Sequence, residues 1–124
     1  MIYGIGVDII EVARIAERME TEKGLKETLF TEREIAYCET KRFRGQHYAA
    51  RFAAKEAFLK ALGSGWRDGI AFREIEVVND ALGRPTCLVH GRAEQAARQQ
   101  GIRNIQMSLS HIKEFAGAVV TLET

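Results

Sequence analysis

The stretch QHYAARFAAKEAFLKAL, from Gln46 to Leu62, constrains the fold of this chain more than any other segment. It is rich in Ala and Leu, contains neither Gly nor Pro, and ends at Gly63, which predicts one long helix. Apolar side chains lie on two stripes of that helix, one through Phe52 and the other through Phe58. We therefore expect a helix that is buried on two faces.

The rest of the chain alternates between β-branched runs and Ala- or Glu-rich runs, with turn residues between them. These patterns predict strands at 2–10, 72–79, 86–90, 104–111 and 115–122, and further helices at 11–23, 31–40 and 91–100. Thr31 and Glu34 have the spacing of a capping box, and Gly24 is expected to end the first helix. We predict a single α+β domain over residues 1–124, with a largely antiparallel sheet packed against the long helix.

The composition is that of an ordinary globular chain of 124 residues, of which 46% are hydrophobic and 28% charged. Lys and Arg total 18 and Asp and Glu total 17, so any attraction for an anionic partner has to be local. The two cysteines, Cys38 and Cys87, are too few for a disulfide framework and indicate reduced thiols in a cytoplasmic protein. The first residues lack the pattern of a secretory signal, and the apolar runs are too short for membrane insertion.

The first predicted strand, IYGIGVDII, carries a carboxylate among Gly, Ile and Val residues. Because side chains alternate along a strand, Gly4, Gly6 and Asp8 share one face. The opposite face, which we expect to be the core face, carries Tyr3, Ile5, Val7 and Ile9. A buried carboxylate is costly unless something compensates its charge. Asp8 therefore either caps the next helix or meets a group that approaches the bare, glycine-lined face.

A second carboxylate, Glu56, interrupts an apolar stripe of the long helix. Lys60 lies one turn later, and such an i,i+4 pair would be worth only about 0.2–0.5 kcal/mol. Asp8 and Glu56 together offer hard oxygen ligands without a His or Cys cluster around them. Mg²⁺ prefers such ligands and completes its shell with water and substrate phosphates, whereas Zn²⁺ favours nitrogen and sulfur. The two carboxylates therefore predict a magnesium site if they meet in space.

Basic residues are concentrated before and along the long helix. The run KRFRGQH at 41–47, which includes Arg44, leads into a helix that then carries Arg51, Lys55 and Lys60. Such a run is either a solvated face or a phosphate-binding surface. The N-terminus of a helix adds its own attraction for anions at this point.

Several other residues leave a structural and a functional interpretation open. Arg14 and Arg18, one turn apart on the first helix, are either surface charges or the footprint of an acidic protein partner. Ser64 lies in a Gly-Ser-Gly turn that lacks the features of a P-loop, yet a ligand could lie against it. His111, at a strand end, is either a phosphate or hydrogen-bond contact or a plain surface histidine. Ser110 and His111 are disfavoured as a nucleophile pair because neighbours on a strand face opposite ways.

Four segments carry a resemblance to a known family. They are GIGVDIIEVARI at 4–15, RFAAKEAFLKALGSG at 51–65, IEVVNDALGRP at 75–85, and SLSH followed by a hydrophobic strand at 108–120. In this order they resemble the holo-acyl-carrier-protein synthases, the small type of 4′-phosphopantetheinyl transferase, over essentially the full chain. The most specific motifs are the Asp in the Gly-Ile-Gly-Val-Asp-Ile strand and the Lys-Glu-Ala of the long helix.

The resemblance implies an enzyme that transfers the 4′-phosphopantetheine group of coenzyme A to a serine of apo acyl carrier protein. Adenosine 3′,5′-bisphosphate leaves, and the product supports fatty acid biosynthesis. Asp8 and Glu56 would be the Mg²⁺ ligands, and Lys60 would lie near the reacting phosphate. A metal-bound water, Glu56 or Lys60 could take the serine proton, and the sequence does not choose among them.

The resemblance also implies contacts with both substrates. The candidate coenzyme A contacts are Arg44, Arg51 and His111, with Ser64 in the turn after the long helix. Arg14, with Arg18 on the same helix, would dock the acidic carrier protein. Similar proteins form homotrimers with active sites between neighbouring subunits, and neither nucleic acid nor a membrane is an expected partner.

Two alternatives use the same residues differently. A Mg²⁺-dependent hydrolase of nucleotide pyrophosphates would use the carboxylates and basic residues with water as nucleophile. A non-catalytic module that binds anions or nucleic acid would use the basic run from Lys41 to Arg51 and would not depend on Asp8 or Glu56. The arginines of the first helix favour transfer to an acidic protein over hydrolysis.

Overall fold

The computed structural model describes residues 1–63 and 69–124. In chain order its elements are β1 (Ile2–Glu11), α1 (Val12–Thr21), α2 (Leu25–Leu29), α3 (Glu32–Glu39), α4 (Arg44–Leu62), β2 (Ile75–Asn79), β3 (Pro85–Val89), α5 (Gly91–Gln99), β4 (Asn104–His111) and β5 (Phe115–Glu123). This order confirms the α+β prediction. The C-terminal end of α4 also matches, because Gly63 has a φ of 85° and its N–H bonds the carbonyl of Leu59, whereas the helix begins at Arg44, two residues before the predicted start.

Three local predictions need correction. The first helix ends at Thr21, and Gly24, with a φ of 83°, precedes the short helix α2 instead of capping α1. Because α2 spans only Leu25–Leu29, it is too short to produce a helical period in the sequence. Residues Phe72–Glu74, expected to begin a strand, form a 3₁₀ turn before β2.

The strands of the described ranges form two antiparallel sheets rather than one. The larger sheet has the order β1-β5-β4, and β2 pairs with β3 in the smaller one. In the larger sheet Asp8 lies opposite Ala118, and His111 lies opposite Ala116. The long helix α4 packs across β1 and β5, so the residues of the first strand and those of the helix share an interface.

The face of β1 that contacts α4 is the glycine face. A Cβ atom on Gly6 would overlap the carbonyl oxygen of Ala57, and one on Gly4 would overlap that of Ala61. Strand and helix backbones therefore meet with no side chain between them. The group that approaches the bare face of the strand is the helix itself, and this contact turns Asp8 toward α4.

The prediction that the apolar face of β1 forms the core is wrong. The side chains of Ile5, Val7 and Ile9 are 61%, 65% and 70% exposed. On the neighbouring strand β5, Phe115 and Val119 are also exposed. We call these five residues the apolar sheet face.

The core surrounds α4, as the two apolar stripes predict. One side of the helix packs against the sheets and α5 through residues such as Phe58, Ile75 and Val120. The other side packs against α1, α2 and α3, with Phe30 and Tyr48 in ring contact at 5.0 Å. In the part of the chain that the structure describes, no helix is both long and apolar enough to cross a membrane.

Lys55 is part of this core and not of a phosphate-binding surface, which corrects the expectation from the basic run. Its side chain is fully buried, and Nζ donates to Glu34 Oε1 at 2.8 Å and to the carbonyl of Ile75 at 2.6 Å. The other oxygen of Glu34 accepts from the N–H of Val77. This buried ion pair joins α3, α4 and β2.

The two cysteines are both free and lie in apolar surroundings. Desolvation raises the pKa of the Cys38 thiol to about 11 and that of the Cys87 thiol to about 12. Both groups are therefore protonated thiols at neutral pH and poor nucleophiles.

Candidate active site

Asp8 and Lys60 form an ion pair between β1 and α4. Lys60 Nζ donates to Asp8 Oδ1 at 2.9 Å and to the carbonyl oxygen of Val7 at 3.1 Å. The Asp8 side chain is only 15% exposed, whereas that of Lys60 is 55% exposed. Lys60 therefore pairs with a carboxylate from another element and not with the local partner Glu56, one turn earlier.

Glu56 is half-buried on the same stretch of α4. Its pKa is raised, first by burial and then by the negative charge of Asp8, while Lys60 acts in the opposite direction. The two carboxylates are thus near enough to repel each other, and the positive charge of Lys60 offsets part of this repulsion. The structure brings together Asp8, Glu56 and Lys60, the three residues that the sequence predicted for the reaction centre.

The donor set fits a hard divalent cation that is only partly held by protein. Asp8 and Glu56 are oxygen ligands whose mutual repulsion a cation would relieve. Within the described ranges, no group of three acidic, His or Cys side chains is arranged to hold a metal. Water and substrate oxygens would supply the remaining ligands. This arrangement fits Mg²⁺ and does not fit a structural zinc site.

Glu56 also lines an open cleft of about 390 Å³ between β1, α1 and α4. Arg14 and Arg18 of α1 line the same cleft, as do the apolar rings of Phe52 and Phe115. Arg18 additionally forms an exposed ion pair with Glu22 at 2.6 Å. The cleft therefore joins Glu56, a carboxylate predicted to be catalytic, to the two arginines predicted to meet an acidic partner.

A second group of basic side chains surrounds the ring of Tyr37 near the start of α4. Lys41 Nζ and the Arg51 guanidinium lie 4.5 Å and 4.1 Å from the ring centroid. The ring of His47 lies 4.9 Å from that of His111. We call Lys41, His47, Arg51 and His111 the basic cluster. Burial, followed by the charges of its three other members, lowers the pKa of His47.

Arg51 belongs to this cluster but is 3% exposed. One of its amino groups donates to Asn79 Oδ1 at 2.6 Å. Its Nε atom is buried and has no hydrogen-bond partner among the residues that the structure describes. A buried donor without a partner is costly, so an anion or water that reached it would gain a strong contact.

Two of the predicted coenzyme A contacts, Arg44 and Ser64, do not belong to the basic cluster. Arg44 is exposed and pairs with Glu39 at 3.3 Å, and Glu39 also accepts a 2.6 Å hydrogen bond from the Tyr48 hydroxyl. Ser64 lies outside the described residues.

Sequence reasoning missed Tyr37 and Asn79, which hold Arg51 in place. Neither residue breaks a local rule, since Tyr37 lies on a partly buried helix and Asn79 ends a strand. Their role follows from contacts between separate elements, which spacing along the chain does not reveal. The local signals near this cluster are the basic run at 41–47, Arg51 and His111.

The family model described as the 4′-phosphopantetheinyl transferase superfamily matches residues 4–120, so the chain belongs to that superfamily. Its similarity extends to individual members. The chain is 51% identical over 124 residues to the holo-[acyl-carrier-protein] synthase of Geobacter sp. (strain M21), with 99% of both chains covered. It is 46% identical to the protein of the same name from Geotalea daltonii, again with 99% of both covered.

Solved structures show the same relationship. The holo-[acyl-carrier-protein] synthase of Neisseria meningitidis superposes with a TM-score of 0.89 at 34% identity, with both chains fully covered. That of Bacillus anthracis, in complex with CoA (3′,5′-ADP), superposes with a TM-score of 0.83 at 36% identity, covering 100% of this chain and 98% of the other. The family and the fold predicted from the sequence are thereby confirmed.

Proposed function

We propose that this chain transfers the 4′-phosphopantetheine group from coenzyme A to a serine of apo acyl carrier protein. The observation that carries the proposal is the Asp8–Lys60 ion pair across the β1–α4 interface, with Glu56 one turn before Lys60 and close enough for Asp8 to raise its pKa. The relatives named above support the same activity, and they do not favour a pyrophosphate hydrolase or a non-catalytic module.

Asp8 and Glu56 would hold Mg²⁺ as the cofactor of this reaction. A divalent cation held by these two carboxylates would supply charge neutralisation for the diphosphate of coenzyme A and for the departing phosphate. The two carboxylates would set its position, because one comes from a strand and the other from a helix in direct backbone contact with that strand.

In the reaction, the serine oxygen forms a bond to the phosphorus that carries the pantetheine arm. The bond from that phosphorus to the bridging diphosphate oxygen breaks, and adenosine 3′,5′-bisphosphate leaves with the electron pair. The half-exposed Lys60 ammonium would stabilise the negative charge that develops on the phosphoryl oxygens. The serine gives up its proton during the attack, and Glu56 and Lys60 are the side chains at the reaction centre that can take part in moving it.

The basic cluster supports binding of the coenzyme A phosphates. Arg51 has a buried donor without a partner among the described residues, and the exposed His111 contacts His47 of the same cluster. Lys41 adds to the positive potential at the same place, and the lowered pKa of His47 favours its neutral ring there. Arg44 and Ser64 complete the proposed set of contacts, Arg44 after it releases Glu39.

Apo acyl carrier protein would dock on α1. Arg14 and Arg18 offer positive charge to an acidic protein surface, and they line the cleft that contains Glu56. A partner seated on α1 could therefore deliver a serine to the reaction centre without a large movement of this chain.

The protein is proposed to act as a homotrimer in the cytoplasm, with active sites between subunits. The apolar sheet face supports self-association, since five large apolar side chains on two adjacent strands are exposed together. The two free cysteines fit a reducing compartment.

The direct test is a mass measurement on a carrier protein incubated with coenzyme A, Mg²⁺ and this protein. We expect the carrier to gain one phosphopantetheine, and Asp8→Asn and Glu56→Gln to abolish the gain while keeping the circular dichroism spectrum. Both variants should also lose Mn²⁺ affinity in a direct titration, whereas Glu27→Gln on α2 should behave as the parent protein. Turnover of coenzyme A without a carrier would favour a hydrolase, and unfolding of both variants would assign the carboxylates a structural role.

A further inference from the structure

His111 and Gln46 meet where the end of β4 reaches the beginning of α4. His111 Nδ1 lies 2.8 Å from Gln46 Oε1, within hydrogen-bond range. The two residues are far apart in the sequence, so the contact depends on the packing of strand against helix.

The chemistry of this contact assigns the tautomer of the histidine. An amide oxygen accepts hydrogen bonds and cannot donate them, so Nδ1 is the donor and carries the hydrogen. In the neutral ring the lone pair is then on Nε2, and in the charged ring Nε2 carries the second N–H. Among the described residues Nε2 has no hydrogen-bond partner, and the ring is exposed.

The neighbouring His47 limits how the ring can turn. Its own ring meets that of His111 at an interplanar angle of 62° and a centroid distance of 4.9 Å. His47 follows Gln46 directly on α4, so adjacent helix residues contact the imidazole of His111 in two ways, one by a hydrogen bond and one by an edge-to-face ring contact.

We propose that Gln46 is a positioning residue that locks His111 in the Nδ1–H form and directs Nε2 outward to a phosphate oxygen of coenzyme A. The inference rests on the proposed function, in which His111 contacts that substrate. A phosphate oxygen only accepts hydrogen bonds, so Nε2 can bind it only when the ring is charged and Nε2 carries a hydrogen. Gln46 then takes one N–H, and the other remains for the phosphate.

The spectroscopic test uses protein labelled with ¹⁵N at histidine, at a pH where the ring is neutral. We expect the Nδ1–H form of His111 in the parent protein and in Gln46→Glu, whose carboxylate also accepts. In Gln46→Met, which is similar in size and lacks a good acceptor, the Nε2–H form should appear. Nε2–H as the main form of the parent protein would overturn the proposal, whether or not the enzyme is active.

The kinetic test asks whether Gln46 acts through His111. Gln46→Met should raise KM for coenzyme A roughly threefold to tenfold, the effect of one lost hydrogen bond, with a smaller change in kcat. In a His111→Ala background the same substitution should have no further effect. An equal rise of KM in both backgrounds would overturn the proposal. Gln95→Met on the exposed side of α5 is the matched control, and absence of any transfer by the parent protein would count against the proposed function instead.

Discussion

At the proposed reaction centre, Lys60 is the cation that offsets the charge of two carboxylates. Its ammonium faces Asp8 and lowers the pKa of Glu56 against the effects of burial and of Asp8. More than half of its side chain is exposed, so it is reachable by a substrate phosphate without rearrangement of the core.

We expect Lys60→Met to lower kcat for transfer by roughly 100-fold, because a positive group aimed at the reacting phosphate is lost. The free energy of unfolding should also fall, because the largely buried Asp8 carboxylate loses its partner. Steady-state kinetics and urea unfolding measure the two effects. Lys113→Met, in the exposed turn between β4 and β5, is the control, and unchanged kcat in Lys60→Met would remove Lys60 from the mechanism.

Gly6 is a second residue whose role depends on one close backbone contact, that of β1 with α4. Gly6→Ala should lower the free energy of unfolding by about 1–3 kcal/mol or more, because the added methyl group overlaps the carbonyl of Ala57. Gly45→Ala in the first turn of α4 is a matched control, since its Cβ would meet Val12 and Ala16 at an ordinary 3.6 Å. Equal stability of the two variants, measured by urea unfolding, would contradict the close contact of strand and helix.

At the scale of elements, Glu76 ties β2 to α3 and α5. Its buried carboxylate accepts hydrogen bonds from Thr31, Arg33 and His90, at distances from 2.5 to 3.1 Å. Burial acts to raise the pKa of Glu76, but the three donors together lower it to about 2. The ionised carboxylate is therefore favoured in the folded state.

The pH dependence of stability follows from that shift. A carboxyl whose folded pKa is below its ordinary value of 4.5 stabilises the fold above pH 4.5, and this contribution is lost as the pH falls toward 2. The loss should amount to roughly 2–3 kcal/mol, which urea unfolding between pH 6 and pH 3 can follow in part. Glu76→Gln should be less stable at neutral pH and show a flatter profile. A profile as steep as that of the parent protein would assign the acid sensitivity to other groups.

The sequence predicts the long helix, its end at Gly63 and the capping box at Thr31, because each depends on residues close together in the chain. It also identifies Asp8 and Glu56, since each breaks the local pattern of its element. The local pattern does not predict which face of β1 is buried. Apolar residues are expected inside, but the close approach of the two backbones buries the glycine face instead. The sequence pattern does not predict the burial of Lys55 either, because this burial depends on its partner Glu34 in α3.

At the scale of the whole molecule, the apolar sheet face is the surface through which the proposed self-association would occur. Val7 lies in the middle of β1, is 65% exposed and points away from α4. A charged side chain at this position would be desolvated in any interface formed by that face.

We expect Val7→Glu to shift the protein from trimer to monomer in sedimentation velocity, with the circular dichroism spectrum unchanged. Transfer activity should fall with dissociation if active sites lie between subunits. Ala36→Glu, on the exposed side of α3, should leave the assembly intact. A trimer that persists in Val7→Glu would exclude the apolar sheet face as the interface.

The direct contact of β1 with α4 has a consequence for how this enzyme can diversify. Because no side chain separates Gly6 from the Ala57 carbonyl, substitutions at neighbouring residues do not change the distance between strand and helix. The spacing of the two carboxylates can then be tuned only by changing their own length, Asp to Glu or the reverse. Sequence variation among descendants of such a protein should therefore concentrate in the surfaces that bind the substrates, while the distance from Asp8 to Lys60 stays constant.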